Sequence, residues 1–333
     1  MKLMDAPSHS VATPAVSNHA PITLKNILFA TDFSEASNAA LPYATAISRH
    51  YESELYAIHA LQPSNFVIPS EAVGPISNEA WYEAAHEEAQ AKMARLVPRM
   101  KGVPYHLYVR EGAVWDVLAE TINDRNIDLL VVGTHGREGI GKLLLGSKAE
   151  EIVRQATCPV LTVGAKVSGK AKLPEFEGFG KAFVPNEISF RHIVCATDFA
   201  PESLVAVSYA ASLAQEFQAR LTLLYVLEDR VEMHRRPAAI EHAIQSLKKL
   251  MPPEAELWCK PEPMVEFGSP ADRILQRATQ SDADLIVLGA RSASGHLGTA
   301  THLPWTTTHK VIAGAHCPVL TIPFQGRNGR GRA

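Results

Sequence analysis

The stretch KNILFATDFSEASNAALPYATAIS, residues 25–48, decides the fold because the chain contains it twice. It returns as RHIVCATDFAPESLVAVSYAASLA at residues 191–214, with Asp32 and Asp198 at the same place in the two copies. Two further pairs of blocks repeat in the same order, residues 111–136 with 267–292 and residues 156–163 with 315–322. The repeated unit has the length of a domain, so it indicates a tandem duplication rather than a solenoid of short repeats.

Within each copy, short apolar runs alternate with longer segments whose apolar residues have helical spacing. In the first copy the predicted strands are ILFAT, ELYAIHAL, YHLYVREG, DLLVVGT and VLTVG. Continuous apolar strands separated by helices are typical of a parallel sheet that is covered on both faces. We therefore predict an α/β fold made of two tandem open parallel five-stranded sheets with helices on both faces, similar to the Rossmann fold.

The chain of 333 residues is longer than most single domains, in agreement with this duplication. A segment rich in Gly, Lys and Pro, without periodicity, separates the copies and is predicted to be a linker. The predicted boundaries are a disordered tail at 1–22, a first domain at 23–164, the linker at 165–190, a second domain at 191–324 and a tail at 325–333.

Composition argues against several classes of partner. The net charge is -3 and 20% of the residues are charged, so nothing indicates a nucleic acid or a membrane surface. The amino-terminal stretch lacks the apolar core of a signal peptide, and no apolar run reaches the roughly 18 residues of a membrane span. The four cysteines lack CxxC spacing, so reduced thiols are expected rather than disulfides or zinc. We expect a cytoplasmic protein.

The segment GTHGREGIGKLLLGS, residues 133–147, contains the glycine and lysine spacing of a P-loop. A P-loop needs Ser or Thr after the lysine to hold Mg²⁺, and Leu143 stands there instead. Gly133 and Gly136 still let backbone amides approach a phosphate or ribose closely. Gly146 leads into Ser147, which opens a predicted helix whose amides and dipole favour an anion.

The position of this loop in the predicted sheet also favours a ligand site. In open parallel sheets, ligands bind beyond the carboxyl ends of the strands. Ala30-Thr31-Asp32 closes the first strand and Val132-Gly133 closes the fourth. Purely structural interpretations exist for single residues, because Asp32 with Glu35 and Ser147 with Glu150 fit capping boxes. The combination of three glycines and a helix-opening hydroxyl after a buried strand favours a ligand.

The pattern G-x-x-G-(nine residues)-G-S, formed by Gly133, Gly136, Gly146 and Ser147, resembles the ATP-binding signature of the universal stress protein family. TDFSE after the first strand and CPVL near the end of each copy match the same family. The resemblance covers nearly the whole chain twice, as in tandem members. It implies a fold like that of the adenine nucleotide alpha hydrolases and ATP as the ligand, with Mg²⁺ as an open question.

The resemblance also implies which residues contact ATP. Adenine and ribose contacts would fall on Ala30, Asp32 and Ala60. Phosphate contacts would fall at the following positions, with Val132 flanking them: Gly133, Gly136, Gly146, Ser147 and the amide of Lys148. It implies no catalytic residue and no metal ligand in the protein itself.

The second copy departs from this pattern. Asp198 and Gly289 are retained, but Ser292 occupies the second glycine position. Counting back from the matching cysteines places Trp305-Thr306 where Gly146-Ser147 stand in the first copy. We therefore predict one ATP per chain, in the first half.

The function that the resemblance implies is that of a stress-related ATP-binding regulatory protein, whose nucleotide occupancy controls its conformation or its binding to an unidentified protein partner. GxSxG and HExxH motifs are absent from the sequence. Slow ATP hydrolysis or phosphoryl transfer and a nucleotide-free scaffold remain alternatives. The last strands, VLTVG and VLTIP, would each leave an unpaired sheet edge. The family resemblance suggests that they pair, as an intramolecular pseudo-dimer, with homodimerisation left open.

Overall fold

The structure of the chain, a computed structural model, describes residues 22–62, 78–134, 145–164, 166–167, 188–227, 236–290 and 303–324. The first half contains β1 (Asn26–Ala30), α1 (Glu35–His50), β2 (Glu54–Leu61), α2 (Asn78–Ala94), β3 (Tyr105–Glu111), α3 (Val114–Asp124), β4 (Leu129–Gly133), α4 (Ser147–Gln155) and β5 (Val160–Val163). The second half contains β6 (His192–Ala196), α5 (Pro201–Glu216), β7 (Arg220–Leu227), α6 (Arg236–Lys249), β8 (Glu262–Phe267), α7 (Pro270–Gln280), β9 (Leu285–Ala290), α8 (Leu303–Gly314) and β10 (Val319–Pro323). Short 3-10 helices at Val97–Met100 and Pro253–Leu257 precede β3 and β8. None of the helices in these ranges is both long and apolar enough to cross a membrane.

The strands form one ten-stranded sheet in the order β3-β2-β1-β4-β5-β10-β9-β6-β7-β8. Within each half all neighbouring strands are parallel, and the two halves have the same internal order. The predicted α/β class is therefore confirmed. The two five-stranded sheets are not separate, because β5 and β10 pair antiparallel. This pairing confirms the prediction that the two exposed edges satisfy each other within one chain.

The junction between β5 and β10 has approximate twofold symmetry. Leu161 lies opposite Leu320 at its centre. Thr162 Oγ1 donates a hydrogen bond to the carbonyl oxygen of Val319 at 3.0 Å, and Thr321 Oγ1 donates one to that of Val160 at 3.2 Å. Each threonine thus adds a side-chain hydrogen bond across the boundary between the halves. The buried hydroxyls have partners there, which avoids the cost of a buried unsatisfied polar group.

Strand residues alternate between two apolar layers, one on each face of the sheet. One layer joins the sheet to α1, α2, α5 and α6, and it includes Phe29, Leu161 and Leu320. The other joins it to α3, α4, α7 and α8, and it includes Leu28 and Val319. Both layers contain residues of both halves, so each layer of the core is continuous across the junction.

All four cysteines lie in the described part of the chain, where they are buried and reduced. Burial raises the pKa of the Cys158 and Cys317 thiols to about 12 each and raises the pKa of Cys195 as well. These three thiols therefore stay protonated at neutral pH, and a protonated thiol is a poor nucleophile and a poor metal ligand.

The junction supplies a test of how tightly the halves are coupled. Leu161 is only 2% exposed, and truncation to alanine leaves a cavity between β5, β10 and the helices above them. We expect Leu161→Ala to lower the free energy of unfolding by about 2–5 kcal/mol, measured by urea denaturation. Val205→Ala, at a position that is 39% exposed on α5, is the control and should change it by less than about 0.5 kcal/mol. A Leu161→Ala protein as stable as the control would contradict a packed junction.

Candidate nucleotide-binding site

The strand order of the first half changes direction between β1 and β4. Ala30, the last residue of β1, is in register with Val132 of β4 on one side and with Ile58 of β2 on the other. The helix after β1 packs on one face of the sheet, and the helix after β4 packs on the other. A crevice at such a switch point is where open parallel sheets bind ligands.

The floor of this crevice is made of small side chains. Ala30, Ala60 and Val132 all pack in the apolar layer beneath α3 and α4, so they lie on the same face of the sheet. Ala30 and Ala60 are only partly buried, which leaves space above them at the carboxyl edge. The structure thus brings together three predicted contacts from three neighbouring strands.

The start of α3 adds two residues that the sequence analysis did not identify. Val114 and Trp115 are partly buried against the same layer as Ala30 and Ala60. The signal that could have found them is the glycine turn before α3, since Gly112 has a φ of 137° and directly follows the end of β3 at the same edge. The indole of Trp115 therefore lies in the layer that carries the crevice floor.

Asp32 belongs to a tight turn between β1 and α1. Its Oδ1 accepts a hydrogen bond from the amide of Ser34 at 3.0 Å, and Thr31 Oγ1 accepts one from the amide of Phe33 at 3.0 Å. Phe33 has a left-handed backbone with a φ of 63°. This network holds the exposed Asp32 carboxylate at the carboxyl end of β1.

The capping box predicted for Asp32 with Glu35 is wrong. Ser34 is the N-cap of α1, and its side chain accepts a hydrogen bond from the amide of Ser37 at 3.2 Å. The left-handed Phe33 places Ser34 rather than Asp32 next to the first amides of the helix. The Asp32 carboxylate is therefore not used as a helix cap.

His59 ties the end of β2 to this turn. Its Nδ1 lies 2.8 Å from the carbonyl oxygen of Thr31, which accepts the hydrogen bond. Its ring also packs on Phe33, with 4.4 Å between the ring centroids. His59, which the sequence analysis did not identify, therefore supports the Asp32 turn.

Gly133 has a packing role in addition to the predicted ligand role. A Cβ atom at Gly133 would lie 2.2 Å from the carbonyl oxygen of Ala36 and 2.6 Å from Cα of Ser37, because the first turn of α1 packs directly on β4. Gly289 of the second half has the same constraint, at 2.5 Å from the carbonyl oxygen of Glu202. Close approach of helix and strand alone is thus sufficient to account for glycine at both positions.

The amino end of α4 supplies the other side of the crevice. α4 begins at Ser147, Gly146 is its N-cap, and no side chain caps it. The capping box predicted for Ser147 with Glu150 is therefore wrong, because Ser147 is already the first helical residue. The first helical hydrogen bond runs from the amide of Glu150 to Gly146 at 2.9 Å, so the amides of Ser147 and Lys148 have no partner within the helix.

Some predicted features cannot be placed. Gly136 and most of the glycine loop fall in residues 135–144, outside the described residues. The same holds for Ser292 in the second half. Lys148 is described, and its Nζ lies 3.6 Å from Glu151 Oε2, so its side chain forms an ion pair along α4. In the described ranges, no three His, Cys, Asp or Glu side chains are grouped so that they could hold a metal ion.

The second half differs where α4 has its counterpart. Counting back from Cys158 and Cys317, Ser147 corresponds to Thr306, but α8 already begins at Leu303. Trp305 therefore lies inside the first turn of a helix, not in a cap. Pro304 in the same turn has no N–H group to donate. The Asp198 turn is retained, with Asp198 Oδ1 accepting hydrogen bonds from the Ala200 amide at 3.0 Å and from Ser203 Oγ at 2.7 Å.

Comparison with known proteins agrees with this duplicated architecture. The model of the "Universal stress protein family" matches residues 23–164 and again residues 189–323. The chain belongs to the universal stress protein family. This confirms the tandem resemblance that the sequence motifs indicated.

Individual members of the family match one half or the whole chain. A universal stress protein of Methanocaldococcus jannaschii is 34% identical over 140 residues, which cover 42% of this chain and 81% of that protein. One from Mycolicibacterium smegmatis is 24% identical over 310 residues, covering 89% of this chain and 96% of that protein. The crystal structure of a universal stress protein from Archaeoglobus fulgidus covers 90% of this chain and 98% of its own, with a TM-score of 0.65 at 18% identity. This last likeness shows the shared fold.

The packing of Gly133 and Gly289 can be tested in this universal stress protein without any ligand. We expect Gly133→Ala and Gly289→Ala each to lower the free energy of unfolding by about 1–3 kcal/mol, because each new methyl group meets helix backbone. Thermal and urea denaturation measure the effect. Gly164→Ala is the control, since a Cβ there would have its nearest contact at an ordinary 3.4 Å. If only Gly133→Ala were destabilising, the shared packing role would be contradicted.

Proposed function

We propose that this universal stress protein binds ATP in the crevice of its first half and that nucleotide occupancy controls its conformation or its binding to a protein partner. The observation that carries the proposal is the convergence of three features at one switch point. These are a floor of small side chains, the Asp32 carboxylate and the uncapped amino end of α4. Each feature is common alone, but together they match the three parts of a nucleotide.

Each feature suits a different part of ATP. The floor of Ala30, Ala60 and Val132 leaves room for a flat adenine ring against an apolar surface. The Asp32 carboxylate can accept hydrogen bonds from ribose hydroxyls, as acidic residues do in dinucleotide-binding folds. The first amides of α4, at Ser147 and Lys148, favour the negative charge of phosphates. Gly133, Gly136 and Gly146 would let backbone amides approach those phosphates.

α4 offers a route from this site to the other half of the chain. Its first residues lie at the crevice, and Glu150 in the same first turn lies 4.0 Å from His309 Nε2 of α8. A ligand that pulls on the amino end of α4 would therefore change the contact between α4 and α8. This contact between the halves supports a regulatory role for ATP binding, because α4 lies both at the proposed site and against α8.

A matched pair of substitutions tests the site. We expect Ala30→Leu to weaken ATP binding at least about tenfold, a loss of about 1.4 kcal/mol, because the longer side chain fills the crevice floor. Isothermal titration calorimetry on the full chain, with and without Mg²⁺, measures affinity and stoichiometry. We expect one ATP per chain in the unsubstituted protein.

Ala196→Leu is the matched control. Ala196 ends β6 as Ala30 ends β1, and both residues are partly buried, so the two changes perturb packing alike. ATP affinity should stay unchanged in this variant. Two bound ATP molecules, or equal weakening by both substitutions, would contradict a site confined to the first half. Phosphate release measured in the same samples separates binding alone from slow hydrolysis.

A further inference from the structure

A cavity of about 440 Å³ lies at the amino ends of β6, β9 and β10. Its walls come from three segments that precede these strands, residues 188–190, 282–284 and 315–318, together with the end of α7. Tyr43 of α1 completes the wall from the first half of the chain. Because β5 and β10 are antiparallel, the amino ends of the second-half strands lie at the same edge of the sheet as the carboxyl ends of the first-half strands. The cavity is nevertheless distinct from the proposed ATP crevice, because none of the residues proposed to contact ATP lines it.

Tyr43 makes the cavity a feature of the assembled chain. The residue is 6% exposed, although it belongs to α1 of the first half and faces Asp284 and Cys317 of the second. Burial, with smaller contributions from Cys317 and Asp284, raises the pKa of Tyr43 to about 12. Its hydroxyl therefore stays protonated at neutral pH and can donate a hydrogen bond. Cavities where two domains meet are common places for small ligands.

The cavity has an apolar interior and a polar mouth. Ile188 and Phe190 are buried in its wall, whereas Ser189, Thr279 and Asp282 are exposed at its rim. The lining contributed by the described residues contains no lysine or arginine. It contains two carboxylates, Asp282 and Asp284, and one histidine, His316, so its acidic groups favour a cationic ligand over an anionic one.

The Asp284 carboxylate is fixed beside the cavity. Its Oδ2 accepts hydrogen bonds from the backbone amides of Arg191 at 2.8 Å and His192 at 3.1 Å. Asp128 of the first half accepts the equivalent bonds from Lys25 and Asn26. An aspartate at this position therefore has the same structural role in both halves, which is to accept hydrogen bonds from the backbone before the first strand.

Asp282, in contrast, is particular to the second half. Its counterpart in the repeat is Asn126, and the two residues have nearly the same left-handed backbone, with φ values of 50° and 48°. His316 likewise replaces Thr157. The second half thus has a carboxylate at the rim where the first half has an amide, on nearly the same backbone, so the fold does not require this charge.

Two other ligand chemistries fit less well. The described residues contain no group of three His, Cys, Asp or Glu side chains that could hold a metal ion, even though Asp282, Asp284, His316 and Cys317 line one cavity. The Cys317 thiol is buried with its pKa raised to about 12, so it is a poor nucleophile for covalent attachment. A non-covalent organic ligand remains.

We propose that this cavity binds a small organic cation, an amine, amidine or guanidine attached to an apolar or aromatic body. The cationic group lies at the rim beside Asp282 and Asp284, and the body packs against Phe190 and Tyr43. The volume lies in the range of about 300–1,000 Å³ that is typical of small-molecule sites. The second half then has a ligand of its own, which differs in charge from ATP.

Benzamidine, a cation at neutral pH, and benzamide, its neutral analogue of nearly the same shape, are suitable probes. Titration of the full chain followed by ligand-observed NMR measures both affinities. We expect benzamidine to bind about threefold to fivefold more tightly than benzamide, the range that a solvent-exposed charge pair supplies. Binding should persist in saturating ATP. Equal affinities, no binding of benzamidine, or displacement by ATP would each overturn the proposal.

Asp282→Asn removes the charge and installs the residue found in the first half, which tolerates the same left-handed backbone. We expect Asp282→Asn to lower the affinity for benzamidine to that for benzamide and to leave the affinity for benzamide unchanged. Asn126→Asp is the matched control and should change the affinity for neither benzamidine nor benzamide. Unchanged benzamidine affinity in Asp282→Asn would refute the role of the rim carboxylate.

Thr279 offers a second, independent pair because it is exposed on α7 at the mouth of the cavity. We expect Thr279→Lys to weaken benzamidine binding and Thr279→Glu to strengthen it, each by about threefold. Circular dichroism confirms that both variants fold. If the two variants changed the benzamidine affinity in the same direction, or if neither changed it, charge at the mouth of the cavity would not govern binding.

Discussion

The antiparallel pairing of β5 with β10 is the contact on which the rest of the molecule depends. Each half alone would expose the backbone of its last strand, and unpaired edges of this kind promote aggregation. Pairing removes both edges at once and makes both apolar layers continuous. It also brings Tyr43 of the first half to Asp284 and Cys317 of the second. Tyr43 therefore completes the wall of the cavity at the amino ends of β6, β9 and β10 because the halves meet in this way.

Much of the fold could be predicted from local sequence because the strands are continuous apolar runs. ELYAIHAL and VLTIP became β2 and β10 with the expected bounds. The partner of the last strand could be predicted by asking what covers an exposed edge, with the family resemblance as support. The role of Ser34 could not, since it depends on the left-handed Phe33, which pattern alone does not reveal.

Only part of the candidate site could be predicted from the sequence. Ala30, Asp32 and Val132 end neighbouring strands, so the sequence was sufficient to place them at one edge. The contact between Gly133 and the first turn of α1 is tertiary, so only the structure could show that glycine is needed there for packing. Trp115 was not predicted because its packing on the layer beneath α3 and α4 is a tertiary contact. Gly136 lies outside the described residues and stays a prediction.

A junction formed within one chain has consequences that a junction between separate subunits lacks. Its formation does not depend on protein concentration, because dilution cannot separate parts of one polypeptide, whereas an obligate dimer dissociates by mass action. In a symmetric homodimer, moreover, every substitution appears twice, at both sites related by the twofold axis. In this chain Asp282 and Asn126 differ at equivalent positions, and α8 is longer than α4. Two copies joined in one chain can therefore differ from each other in sequence while the interface between them is kept.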